Sequence, residues 1–420
     1  MKKIITINTI ILLWIITIAL AIIWSYENPE KVENLKSFYK KQKIPLVEAS
    51  DTIAVKKIAN SFTVNLSQIA SLSQKTAFII YEDEKNKFDP NKLEMFTQNG
   101  YFIKNLTPAK LNLPKNFTLQ RNGGIKTIFS YKKNTFALVS SSKKNCFYAS
   151  IIHLNNGKSL FDSKCLPGLN KNTDFNGLGS SNIHLKNKIF LSIGAPEQSS
   201  SKIAALAQDE SSVFGKILTI NKIDLDKIIL NKETKLKLEL FSIGHRNPQG
   251  MTKIKGSIFS VEHGPLGGDE LNKIVINKNY GWPNVSYGTK YLYDKSGKSY
   301  QTNHEVNNFE EPLFALVPSV GISSLNTCPI KLRNFYNKHC LIALSLSGNN
   351  LRPGKSIIIY LLDEKMNKVH SIEKIHLGED YRFRHFVTNS KNELYEDQNG
   401  AIYVSADKKG IYRIDFLNFR

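Results

Sequence analysis

With 420 residues, 41% hydrophobic and 22% charged, the chain has the composition of a folded protein with a sizeable core, which excludes a disordered or low-complexity chain. Its net charge is +21, but the lysines are scattered among Asn and Ile, without clustered base-reading side chains or aromatic platforms. This argues against nucleic acid as a partner and leaves a general attraction to anionic surfaces.

At the N-terminus, Ile4 to Trp24 is an apolar run long enough to span a bilayer. It predicts an uncleaved transmembrane anchor over residues 1–25, with Ala19-Leu20-Ala21 as a competing signal-peptide cleavage site. Large domains that follow such a segment are exported largely regardless of flanking charge, so the main domain is expected to be periplasmic or otherwise extracytoplasmic. Residues 26–50 are Lys/Glu-rich and read as a stalk. The segment 51–115 reads as a first blade or a small cap. LSQIASLSQ and NKLEMF are its best helix candidates.

From there on, short β-branched and aromatic runs dominate, among them IKTIFSYKKNTFALVSS, FYASIIHL, KIFLSIG, GKILTI, GSIFSVEHG, HCLIALSL, KSIIIYLLD and GIYRIDF. They are bounded by Asn, Gly, Lys and Ser, as strands are. Many short strands at even spacing predict a sandwich, barrel or propeller, and the recurring strand–turn–strand units favour four-stranded blades. Cys146, Cys165, Cys328 and Cys340 lack zinc spacing. In an exported chain, Cys146–Cys165 and Cys328–Cys340 are candidate disulfides, with four buried thiols as the alternative.

The densest polar chemistry lies in GHRNPQG (Gly244–Gly250) and EHGPLGGDELN (Glu262–Asn272). Only eight of the 57 cationic residues are Arg, and a Lys-biased chain keeps Arg where a planar fork matters. Arg246 lies in the first motif, and Arg382 and Arg384 form a pair in YRFRHF. Gly264 and Pro265 make an irregular backbone whose carbonyls turn outward beside Asp269 and Glu270, and hard oxygens of this kind suit Ca²⁺.

Those two motifs, followed by NYGWPNVSYG, resemble the glucose/sorbosone dehydrogenases, which are pyrroloquinoline quinone (PQQ)-dependent aldose sugar dehydrogenases. AQDESSVFGKILTI, VPSVGISSL and YRFRHF extend the resemblance over roughly residues 120 to 420. It implies an all-β six-bladed β-propeller over 116–420. It also implies hydride transfer from a sugar or alcohol to PQQ, with a respiratory electron acceptor. By the same resemblance Arg246, Asn247, His263, Ser319, Arg382 and Arg384 face the cofactor. Gly264 and Pro265 hold a bridging Ca²⁺, and Asp269 and Glu270 belong to a structural Ca²⁺ cluster. Guanidinium forks suit the three carboxylates of PQQ.

The chain departs from the family at two places. The family's proton-accepting His falls on Leu178, and a cofactor Lys falls on Ser347. Leucine accepts no proton, and a general base is worth ~10²–10⁴-fold. His263 is the best substitute base, ahead of His184, His245 and His385. The alternative to an active dehydrogenase is therefore a catalytically impaired propeller that binds Ca²⁺ and PQQ or a glycan. A calcium-dependent lactonase is disfavoured because no carboxylate-rich central metal site is evident.

Overall fold

A computed structural model describes residues 61–83, 87–167, 175–196, 201–290, 300–347, 355–378 and 380–420, the strand Val47–Ile58, and isolated positions between 14 and 45. Among the described residues no helix is long and apolar enough to cross a membrane. The expected anchor over Ile4–Trp24 lies largely outside them. Its described positions, including Trp14, Ile18, Leu20, Ile22 and Ile23, are exposed.

The described strands form six antiparallel sheets, five with four strands and one with five. Blade 1 comprises Thr76–Ile80, Glu94–Thr97, Tyr101–Lys104 and Thr107–Lys110. Blades 2 to 5 begin with Ile125–Tyr131, Asn182–Leu185, Pro248–Ile254 and Ile322–Thr327, each followed by three strands in chain order. Blade 6 joins Phe383–Phe386, Ile402–Ala406 and Gly410–Leu417 to Thr63–Leu72 and Val47–Ile58. The first strand of each blade touches the first strand of the next, and the ring closes from blade 6 to blade 1. The fold is a six-bladed β-propeller whose last blade is sealed by the N-terminal strand pair.

Each blade is sandwiched between two others, so its middle strands are buried on both faces. This explains why His339–Ser345 and Ser356–Leu362 are continuously apolar instead of alternating. The blade 5–6 interface packs Phe62, Leu66, Ile342, Ile359, Ile402 and Phe416 into one core, and each such side chain contributes about 1.5–3 kcal/mol by leaving water. Both cysteine pairs form disulfides, Cys146–Cys165 within blade 2 and Cys328–Cys340 within blade 5.

The helix expected in LSQIASLSQ is absent: the strand Thr63–Leu72 occupies it. A bulge between Gln68 and Ala70, where this strand pairs with Gly410–Leu417, shifts the inward face by one residue. Leu66, Ile69 and Ala70 then recur at the i, i+3, i+4 spacing of a helix. NKLEMF likewise ends in the strand Glu94–Thr97.

Candidate functional site

The loops at one mouth of the ring enclose a cleft with two compartments. One, of about 670 Å³, is lined by Arg246, Asn247, His263, Gly264, Pro265, Asp269, Ser319, Ser347, Arg382 and Arg384, together with Lys75. The other, of about 490 Å³, is lined by Leu178, Gln98, Lys126, His385 and Lys408. Lys75, Asn176, Gln249 and Arg384 line both. Ten residues selected from the sequence thus meet in one compartment, with Leu178 in the other. Glu270 lies beneath, on the closed side of Arg246.

GHRNPQG runs from the last strand of blade 3 to the first of blade 4. His245 is fully buried, stacks on Tyr280 and bonds Ser242 and Glu262 (2.9 and 3.0 Å), which makes it a support and not a reactant. Glu262 also accepts the Arg246 backbone N–H at 2.7 Å. Burial alone would raise its pKa, but His245, that N–H and Asn272 outweigh burial and hold it below the usual range. Arg246 is thereby clamped at its backbone, and its guanidinium lies over Trp282, 5.1 Å from the ring centroid.

The guanidinium donates from Nη1 to the carbonyls of Gly264 (2.7 Å) and His263 (3.0 Å). The Gly264 carbonyl expected to ligate Ca²⁺ therefore carries a positively charged donor. Asp269 is not free either. It accepts from the backbone N–H of Gly264 (3.2 Å) on one oxygen, and of Val320 and Ile322 (3.0 Å each) on the other. It fastens the GPLGG loop to the loop bearing Ser319. In that loop Gly268 has φ +68° and a Cβ would sit 2.4 Å from the Gly288 nitrogen, so only glycine fits.

Asn247 Oδ1 accepts from the Gly179 N–H and from Gln249 (2.8 Å each), which fixes the amide orientation. Its Nδ2 then donates to His263 Nδ1 at 3.3 Å. The His263 proton must sit on Nε2, which is buried without a hydrogen-bond partner. Burial, with Arg246 and Arg384 nearby, lowers the His263 pKa despite Asp269. Its only lone pair is occupied, so His263 is not poised to accept a proton from a ligand in the cleft. Leu178 is 1% exposed and belongs to an apolar cluster with Phe175, Leu191 and Ile193. His385 is kept neutral by burial and Arg384, its pKa pushed down to about 3. His184, in the blade 3 strand, lines neither compartment.

The two C-terminal arginines divide their tasks. Arg384 spends a fork, Nε and Nη2, on Asp407. Arg382 bonds the Leu346 carbonyl at 2.9 Å and keeps a half-exposed side chain toward the cavity. Ser347 leaves the expected Lys position uncharged, but Lys75 places an ammonium in the same compartment from the turn between blades 6 and 1. Nothing in SLSQKTAF marks Lys75 as functional, because the ring closure that brings it there is invisible locally. Gln249 lies within the GHRNPQG motif but is not singled out there.

Below Arg246 a cavity of about 10 Å³, room for one small occupant, is lined by Glu262, Glu270 and Trp282. Trp282 Nε1 makes no hydrogen bond, and the ring nitrogens of the adjacent His304 lie 4.0 Å from Glu270 and 3.7 Å from Glu311 without hydrogen-bonding either. Burial and Glu262 push the Glu270 pKa up to about 8. Among the described residues no group of three or more His, Cys, Asp or Glu side chains is arranged to hold a metal.

The family model described as Glucose / Sorbosone dehydrogenase matches residues 128–413. The chain belongs to the glucose/sorbosone dehydrogenase family. Curated relatives include aldose sugar dehydrogenase YliI of Escherichia coli (strain K12), 32% identical over 145 residues, or 33% of this chain and 37% of the relative. Quinoprotein glucose dehydrogenase B of Acinetobacter calcoaceticus is 38% identical over 97 residues, or 22% of this chain and 19% of the relative. Each match thus spans well under half of the relative's length. Among solved structures, a glucose dehydrogenase superposes with a TM-score of 0.61 at 20% identity, covering 83% of this chain and 98% of that one. The PQQ-bound aldose sugar dehydrogenase of Streptomyces coelicolor gives 0.54 at 14% identity, covering 89% and 98%. These likenesses establish the propeller shared with the glucose/sorbosone dehydrogenases.

Proposed function

We propose that the chain is a quinoprotein of the sugar dehydrogenase type, tethered to a membrane by its N-terminal segment, that oxidises a sugar or alcohol and passes electrons to a respiratory acceptor. The observation that carries this is the 670 Å³ compartment, where Arg382, Arg246 and Lys75 converge while the cavity's own carboxylate, Asp269, is consumed by backbone amides. An excess of fixed positive charge fits a tricarboxylate. Arg382, Arg246, Lys75 and Ser319 would hold PQQ. The chemistry PQQ supplies is acceptance of a hydride from the carbon of a CH–OH group.

Calcium fits the two expected positions unequally. At Gly264 and Pro265 the Arg246 guanidinium already occupies the Gly264 carbonyl, so no step is assigned to a cation there. The small cavity lined by Glu262 and Glu270 offers carboxylate oxygens, the ligand type a hard cation prefers, and suits a small cation better. We place the structural Ca²⁺ of this reading at Glu270.

A second reading, a propeller that binds cofactor but turns over slowly, is favoured by Leu178 and by the occupied lone pair of His263. Purified full-length protein titrated with PQQ and Ca²⁺ separates the two. A shifted cofactor spectrum with sugar-driven dye reduction supports the dehydrogenase. A shifted spectrum without turnover supports the slow binder, and an unchanged spectrum sinks both.

A further inference from the structure

The compartment of about 490 Å³ beside the cofactor cavity has an unusual lining. Lys75, Lys126, Lys408 and Arg384 face it, and among its described lining residues there is no Asp or Glu. The nearest carboxylate, Asp407, has both oxygens engaged by Arg384. Lys126 has two of its donors on the carbonyls of Phe175 (2.7 Å) and Asn122 (3.0 Å). Lys75 and Lys408 make no side-chain hydrogen bond or ion pair among the described residues. Burial, then Arg384, Arg382 and Lys408, lower the Lys75 pKa against the opposing charge of Asp407, and these four cations with one carboxylate leave the corner net positive. The remaining polar lining is mostly amide, with Gln98 and Gln249 presenting both donors and acceptors, beside Ser73, Ser180 and His385. Leu119 and Leu178 supply an apolar side.

A pocket for a neutral sugar gains little from several clustered cations, whose mutual repulsion a neutral ligand does not relieve. Amides match hydroxyls, and ammonium groups match an anion. We propose that this compartment takes an anionic polyhydroxylated ligand, a sugar bearing a carboxylate or a phosphate, gripped at its charge by Lys75 and Lys408 and at its hydroxyls by Gln98 and Gln249. As the substrate class of the reading above, it rests on that reading, but the binding itself requires no PQQ.

The test is calorimetric titration of the full-length protein in detergent, free of PQQ, with glucuronate, glucose 6-phosphate and glucose. At least one anionic sugar is expected to bind about tenfold or more tighter than glucose, with an advantage that shrinks at high ionic strength. Comparing glucuronate with glucose 6-phosphate distinguishes the carboxylate from the phosphate. Lys75→Gln and Lys408→Gln should each erode that advantage several-fold. Equal or tighter binding of glucose, no binding of either anion, or variants that leave the discrimination intact would overturn the proposal. A parallel PQQ titration of the same variants separates the two readings. If only cofactor affinity falls while sugar discrimination persists, the lysines serve PQQ alone and the anionic-substrate inference fails. If PQQ never binds but the anionic sugar does, the dehydrogenase reading fails and this one stands.

Discussion

Arg246 donates to the carbonyl of Gly264 at 2.7 Å while its own backbone N–H is held by Glu262 at the same distance. One residue thus joins the buried acidic network to the loop that walls the 670 Å³ compartment. Arg246→Ala would keep the backbone clamp and delete the guanidinium. Charge-assisted hydrogen bonds are worth about 1.5–3 kcal/mol, so PQQ affinity should fall by about ten- to a hundredfold. Absorbance titration measures it, and an unchanged affinity would remove Arg246 from the binding site. Arg246→Lys should recover only part of the loss, because an ammonium cannot reproduce the fork.

Asp269 has a different role from the one its neighbourhood in the sequence implied. Three backbone N–H groups end on its carboxylate, from Gly264, Val320 and Ile322. Asp269→Ala strands them in a buried site, at about 1–3 kcal/mol for each amide left unsatisfied. We expect the unfolding free energy to fall by about 3 kcal/mol or more, seen as a lower denaturation midpoint, together with faster protease cleavage in the GPLGG loop. Added Ca²⁺ should not rescue it. Glu270→Gln, by contrast, should leave the metal-free protein close to wild type in stability and abolish any rise in melting temperature that Ca²⁺ gives the wild type.

The propeller and most of the cleft were legible because they depend on local pattern. Strand runs bounded by Asn and Gly describe blades, and GHRNPQG with EHGPLGGDELN describes two adjacent loops of one mouth. What was not legible depends on ring closure and side-chain direction. Lys75 enters the cleft only because Thr63–Leu72 pairs with Gly410–Leu417 and returns the chain to the mouth. The bulge at Gln68 gave that same strand a helical spacing. Motif proximity could not say that Asp269 spends both oxygens on amides, or that Asn247 occupies Nδ1 of His263.

Leu178 offers the direct test of the missing base. Its backbone N–H bonds the Phe175 carbonyl, and its side chain sits between the 490 Å³ compartment and the apolar cluster of blades 2 and 3. Leu178→His removes packing and introduces a polar ring, at a cost of about 1–3 kcal/mol of stability. If the rest of the site binds cofactor and sugar competently, PQQ-dependent dye reduction should rise at least tenfold, toward the ~10²–10⁴-fold that a positioned general base supplies. The gain should titrate with a pKa in the histidine range. A folded Leu178→His protein that binds PQQ without gaining turnover would mean that more than the base is lost.

His184 gives the fold its own pH dependence, separate from the cleft. It is 7% exposed on the first strand of blade 3, its Nε2 lacks a partner, and its backbone carbonyl accepts from Lys253 at 2.6 Å. Burial first, then Lys222, Lys253 and Lys391, push its pKa down from 6.5 to about 4, with Glu393 opposing. The unfolded chain therefore binds more protons than the folded one between about pH 4 and 6.5, and folding stability must fall as pH drops through that window. A shift of this size corresponds to up to about 3 kcal/mol, fully lost only near pH 4. Guanidinium denaturation from pH 7 to 4 should show the decline. His184→Gln, which keeps a polar side chain but cannot titrate, should flatten the part due to His184. The burial of His385 adds a slope of the same sign that persists in the variant. A His184→Gln profile no flatter than that of the wild type would show that His184 remains solvated in the folded protein.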